Sequence, residues 1–259
     1  MNAFFAQIIL AIVQGLAEWF PISSSSHLVL VSKLLEYNNT LEFDIALHFG
    51  TLMAVFAYFS RDIIEILRDV LRLRFNTENG RLGLFLIAAS VPAVLLGFLL
   101  RNAAEQSVGD LRLMSLGLGV TGIFLLISSL GYKFSNKGKF GYKAVFIIGI
   151  AQAFSIFRGI SRTGSTVGSG LLLGLNEKTA VKFSFLLSMP IVFGASVLSL
   201  GSSPIPKSYF LATLVSFAVG LCMIHLSYKY VLRNRKNLRW FGIYLLALAF
   251  GVGLWMFLS

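Results

Sequence analysis

Acidic residues are scarce in this chain, with 11 Asp and Glu against 22 Lys and Arg in 259 residues, and charged residues of either sign make up only 13%. So few charges cannot clothe a soluble core of this size in a hydrated surface. Cysteine is nearly missing. Cys222 stands alone, which excludes an intrachain disulfide and any cysteine-rich metal site. No Lys or Arg precedes the first apolar stretch and no small-residue cleavage site follows it, so this segment is read as part of the mature protein rather than as a signal peptide.

Apolar residues fill the space, at 56% of the chain. Runs of about 20 such residues match a hydrocarbon core ~30 Å thick. They lie roughly over 4–20, 43–60, 82–100, 111–130, 142–157, 179–200, 208–229 and 238–258. Two shorter stretches, about 22–35 and 160–175, are apolar but rich in serine and glycine, and each follows a break, Pro21 in one case and Arg158-Gly159 in the other. Proline cannot continue a helix and glycine weakens one. Lipid will not accept the freed backbone groups, so such breaks must be buried in protein or line a wet cavity. The expected fold is therefore an all-α polytopic membrane protein with six full spans plus two re-entrant helical hairpins, at about 4–35 and 142–175.

Orientation follows from the basic residues. Sixteen Lys and Arg fall in the loops 60–81, 131–143, 175–182 and 229–239, while the opposite side receives only Lys33, Arg101, Arg112 and Lys207. The rule that basic loops stay inside places the sixteen in the cytoplasm and both termini outside, in a plasma membrane. Topology thus accounts for the net charge of +11, and nucleic acid is not an expected partner.

The chain also resembles itself. Shifted by 138 positions, "IVQGLAEWFPISSSSH" (12–27) falls on "IAQAFSIFRGISRTGS" (150–165), with Ile12, Gln14, Ile22 and Ser23 matched by Ile150, Gln152, Ile160 and Ser161. Apolar segments match easily by chance, but here the polar break recurs at the same place. Three spans separate the copies, so they enter the membrane from opposite sides. That predicts an inverted-topology repeat, 1–130 and 142–259 within one integral-membrane domain, with a site where the broken helices meet near the midplane.

The first copy brings Glu18, Ser23, Ser24, Ser25, Ser26 and His27 to that meeting point; the second brings Arg158, Ser161, Arg162, Thr163, Gly164, Ser165 and Thr166. Helices restarting after Pro21 and Gly159 each offer free N–H groups and a positive dipole end. Opposed, with arginines added, they form an oxyanion trap suited to phosphate. Small residues such as Ser169 and Gly170 serve helix packing equally well. Glu18, Arg158 and Arg162 are different, because charges inside a membrane are costly and mark function. His48 and His225 read as structural.

At these residues the sequence resembles the undecaprenyl-diphosphate phosphatase family, also called the bacitracin-resistance proteins. "QGLAEWFPISSSSH" (14–27) is similar to the family's first motif, "RGISRTGST" (158–166) to its second, and "FSFLLSMPIVFGAS" (183–196) to the stretch that follows. The resemblance implies hydrolysis of a polyprenyl diphosphate to the monophosphate carrier used in envelope assembly, with a divalent cation, Mg²⁺ or Ca²⁺. It implies that Glu18 is the second motif glutamate, Ser24 the essential serine, His27 the motif histidine and Arg162 the motif arginine. The lipid substrate and the bilayer are the implied partners, and a homodimer is compatible with it.

Two positions depart from the family pattern. Gln14 stands where the family has its first glutamate, and Arg158 where it has proline. Gln14 and Glu18 are i,i+4 neighbours that would share a hard cation, with Gln14 offering a carbonyl oxygen but no charge. Arg158 would add a fixed cation to the diphosphate clamp. Ser24, His27 or a metal-bound water remain alternative nucleophiles. A lipid-phosphate transporter that binds without hydrolysing is the competing reading, and a non-catalytic scaffold leaves the buried charges without purpose.

Overall fold

The computed structural model describes residues 2–130, 140–200 and 206–258. Among these residues the chain is all helical, without a strand. Its helices are α1 (Ala3–Ala17), α2 (Ser24–Leu34), α3 (Leu41–Tyr58), α4 (Ser60–Leu71), α5 (Glu78–Gln106), α6 (Leu111–Ser129), α7 (Tyr142–Ala153), α8 (Arg162–Leu172), α9 (Glu177–Leu200), α10 (Phe210–Leu226) and α11 (Leu238–Leu258). Five stretches are long and apolar enough to cross a membrane: Leu41–Tyr58, Glu78–Gln106, Leu111–Ser129, Lys207–Val231 and Arg235–Leu258. The protein is thus an all-α polytopic membrane protein. Of the basic positions that set the expected orientation, Lys133, Lys137 and Lys139 lie outside the described residues.

Each segment expected to break does so. Helix α1 ends at Ala17, the chain turns through Trp19, Phe20 and Pro21, and α2 restarts at Ser24. In the second half α7 ends at Ala153, a short 3-10 turn covers Phe154–Ile156, and α8 starts at Arg162. Gly159 makes the second break possible. Its φ is +96°, and a β-carbon there would stand 2.8 Å from Gly117 Cα of α6, so only glycine fits. Thr121 of α6 seals the turn by donating its hydroxyl to Gly159 O at 2.9 Å and accepting Ser161 N–H at 3.2 Å. Ser161 then caps α8 by accepting from Gly164 N at 3.1 Å.

Trp19 anchors the first break. It is 1% exposed, packs edge-on against Phe185 at 5.0 Å, and its carbonyl accepts from Ser227 Oγ at 2.8 Å. Around it α1 packs on α10, α7 packs on α5, α3 meets α9, and α6 lies along α11. Large apolar side chains such as Phe98 and Phe250 stay exposed on the outside, as a lipid solvent permits.

The loop expected at 60–81 holds a helix instead. In α4, Ile63 and Ile66 are buried against the protein, whereas Ile64, Leu67 and Leu71 are exposed. Its charges disguise this pattern in the sequence. Asp62 pairs with Lys182 at 2.6 Å and Glu65 accepts from Asn79 at 3.0 Å, so the acids face the protein and tie α4 down.

Candidate active site

The two breaks meet at Glu18. This residue closes α1 and is buried, and its carboxylate collects donors from both halves of the chain. Oε1 accepts from Arg162 Nη2, the first residue of α8. Oε2 accepts from Ser24 Oγ, the first residue of α2, at 2.5 Å, and from Gln14 Nε2 at 3.0 Å. Thr163 Oγ1 donates to the Glu18 backbone carbonyl at 3.1 Å, locking the two breaks together. A buried charge is tolerable only when paired and hydrogen-bonded in this way.

A cavity of about 460 Å³ opens on this cluster, and its polar lining includes Glu18, Ser23, Ser24, Ser25, Asp44, His48, Ser161, Arg162 and Thr163. A larger one, about 710 Å³, lies between the starts of α5 and α9 and contains no motif residue. Volume alone does not make a site, and the motif residues gather at the smaller cavity. Three features there suit an oxyanion. Arg162 spends Nη2 on Glu18, but its Nη1 is buried without a partner, leaving a donor available. The guanidinium also stands 5.6 Å from the Trp19 ring centroid, which fixes its plane. Finally, Ser23 has φ 64° and ψ 85° and its side chain does not cap α2, so the first-turn N–H groups of that helix stay free.

A family model described as bacitracin resistance protein BacA matches residues 7–251. The chain belongs to the BacA family. Its relatives named undecaprenyl-diphosphatase include one from Methanococcus vannielii, 35% identical over 238 residues, covering 92% of this chain and 94% of that protein. One from Thermosipho melanesiensis is 37% identical over 238 residues, with the same two coverages. Another from Idiomarina loihiensis is 34% identical over 260 residues, covering 95% and 96%.

In this BacA-family chain not every expected site residue reaches the cavity. Ser26 is fully buried and pairs with Ser23 Oγ at 3.0 Å, away from the cavity lining. His27 also turns aside. Its Nδ1 bonds to Ser23 O at 2.9 Å, its Nε2 to Tyr244 Oη at 2.7 Å, and its ring stacks on that tyrosine. Gly164, Ser165 and Thr166 build α8 rather than line the cavity. The Gly164 and Ser165 amides bond back to Ser161, and Thr166 Oγ1 donates to Arg162 O at 2.8 Å. Arg158 lines a neighbouring cavity and pairs loosely with Asp44 at 3.9 Å.

His48 takes the place that His27 leaves. Its Nδ1 is held by Asp44 O at 2.9 Å and its Nε2 stands 3.7 Å from Glu18 Oε2, facing the cavity. The sequence marks it only as one histidine in an apolar helix, and Asp44, one turn earlier, carries no motif at all. The i,i+4 spacing of Asp44 and His48 was the available signal, since it puts both on one face of α3.

The residues present fit a divalent cation in one respect. Gln14 Oε1 is buried with no partner, beside the Glu18 carboxylate. A half-turn of the amide brings that oxygen round to Glu18, giving two hard ligands one helical turn apart. Among the described residues no three His, Cys, Asp or Glu side chains cluster as an all-protein metal cage. A cation held here would therefore share its coordination with substrate oxygens, as Mg²⁺ commonly does.

Proposed function

We propose that this protein is an undecaprenyl-diphosphate phosphatase that removes the terminal phosphate of the lipid and returns the monophosphate carrier. One observation carries the reading: Ser24 Oγ and Arg162 Nη2 converge on the two oxygens of a single buried carboxylate, at the mouth of a cavity lined by hydroxyls and one histidine.

The chemistry follows from those contacts. Arg162, through Nη1, and the uncapped amides of α2 receive the terminal phosphoryl oxygens and stabilise the charge they gain in the transition state. Ser24 Oγ attacks phosphorus while its proton passes to Glu18 Oε2, to which it is already hydrogen-bonded. The bond from phosphorus to the bridging oxygen breaks and polyprenyl monophosphate leaves. Water then cleaves the phosphoserine, restoring Ser24 and releasing orthophosphate, so one water is consumed per turnover. Gln14 and Glu18 would hold a divalent cation, whose charge offsets that of the diphosphate. His48, whose Nε2 faces the cavity, is placed to exchange a proton with the leaving phosphate or the water.

The chain is read as two inverted repeats, with α1–α2 and α7–α8 as re-entrant hairpins and α3, α5, α6, α9, α10 and α11 as spans. The packing supports this. By order along each half α1 corresponds to α7 and α5 to α10, and the contact of α1 with α10 is echoed by that of α7 with α5. In the orientation set by the basic loops, the cavity opens toward the outer face, because Asp44 lies one turn inside the outer end of α3.

Phosphate release from undecaprenyl diphosphate by the purified protein tests the reading. Wild type should turn over, and Ser24→Ala and Arg162→Ala should not. Tight lipid binding with no release from wild type would reject the enzyme.

A further inference from the structure

A second polar cavity, of about 520 Å³, lies beside the catalytic one, and Asp44 lines both. Its walls are the end of α2 with the turn after it, the start of α3, and the turn between α5 and α6. All of these lie at the end of the bundle assigned to the outer face. Arg158 enters from the turn before α8. It is the arginine that departs from the family motif, and it faces this cavity, not the catalytic one.

The hydrogen-bonding groups here are largely unspent. Arg158 makes no side-chain hydrogen bond among the described residues; its one partner is Asp44 at the long distance of 3.9 Å. Ser32 is 6% exposed and its Oγ is buried without a partner. Tyr37 Oη accepts from Gln7 Nε2 at 3.0 Å, which leaves its own proton to donate. Lys33 stands exposed at the rim. Asn39 gives Nδ2 to Asp44 at 2.5 Å, while its Oδ1 is buried and unpartnered. A buried hydroxyl left unpaired in a native fold requires an explanation, and a ligand is one.

Two cations, two hydroxyl donors and one acceptor match a phosphate that carries one proton. The P–O⁻ oxygens would take the donors and the P–OH would donate to Asn39 Oδ1. We propose that this cavity is a second phosphate-binding site, which receives the orthophosphate leaving the catalytic cavity on its way to water. Eight of the eleven lining residues carry polar or charged side chains, which favours the free anion over a lipid headgroup. Asp44 and Glu36 also line the cavity, and their charge keeps the anion weakly held, as a product in transit must be. The origin of the phosphate rests on the phosphatase reading; the site itself does not.

Equilibrium dialysis of radiolabelled orthophosphate against the full-length protein in detergent tests the site. Arg162→Ala removes the catalytic contact, and phosphate binding should persist in that background. Adding Arg158→Gln should weaken it by about tenfold or more, since a charge-assisted donor is lost. Adding Ser32→Ala or Tyr37→Phe should weaken it by about threefold to tenfold, one neutral donor each. Tyr37→Phe keeps the ring that packs on Phe43 and so guards against mere unfolding. No residual binding in Arg162→Ala, or residual binding indifferent to all three further changes, overturns the site. Displacement of the label by unlabelled orthophosphate but not by farnesyl monophosphate supports released phosphate as the occupant. Displacement by farnesyl monophosphate overturns that source. Binding that survives while wild type itself shows no turnover of undecaprenyl diphosphate sinks the phosphatase reading and leaves the site intact.

Discussion

Arg162 and Glu18 stand 144 positions apart in the chain and form one ion pair between the start of α8 and the end of α1. Removing either partner leaves the other as an uncompensated charge, commonly about 3–5 kcal/mol of destabilisation for a buried pair. Arg162→Ala should therefore lose both turnover, by a factor of about 100 or more, and thermal stability. Arg162→Lys should keep more of the stability than of the activity, because a point charge satisfies Glu18 but cannot also present the planar second donor. Near-normal phosphate release from the alanine variant would remove Arg162 from the site.

Gln14→Glu exchanges a hydrogen-bond donor to Glu18 for a second carboxylate at i,i+4. Without added cation the variant should be less stable than wild type, since like charges at this spacing repel. With Mg²⁺ or Ca²⁺ it should recover, and the concentration giving half-maximal activity should fall below that of wild type. Identical responses of the two proteins to chelator and added cation, in both melting temperature and rate, would exclude this position from any metal site.

His27 acts through Tyr244 in this structure, joining α2 to α11. Tyr244→Phe should cost about 1 kcal/mol of stability, and His27→Ala combined with it should cost less than the two changes added separately, because they delete one bond. His48→Ala should impair turnover more than Tyr244→Phe does. A wild-type pH–rate profile in His48→Ala would show that its proton takes no part.

The orientation is testable without chemistry. With Cys222 replaced by serine, a cysteine at Arg72, just past the end of α4, should react with an impermeant reagent only from the cytoplasmic side, and one at Pro206 only from outside. The reverse pattern would turn the cavity toward the cytoplasm and refute the assigned sides.

The helix breaks were legible because Pro21 and Gly159 act through their own backbones, and no distant partner is needed to interrupt a helix there. Glu18 and Arg162 were legible for a related reason, since charge in an apolar setting demands a partner. The direction of a side chain around a helix is another matter. Ser23, in the left-handed region, sets the roll of α2, and that roll turns His27 toward a tyrosine 217 residues away. No local pattern encodes it. His48 and Asp44 were hidden because α3 is otherwise an ordinary apolar span, and α4 because its arginines and acids outweigh its apolar stripe in any hydropathy average.

The ion pair across the breaks also limits the history of the fold. At the 138-residue offset, Glu18 aligns with Ile156 and Arg162 with Ser24, so neither half carries the counterpart of its own charged residue. Two identical half-length chains assembled head to tail would each present both partners or neither. A single carboxylate facing a single guanidinium is available only to copies free to diverge from each other. On the two-repeat reading the asymmetry of the pair postdates the duplication that made the halves distinct, and separately expressed 1–130 and 142–259 fragments should regain activity only as a mixed pair.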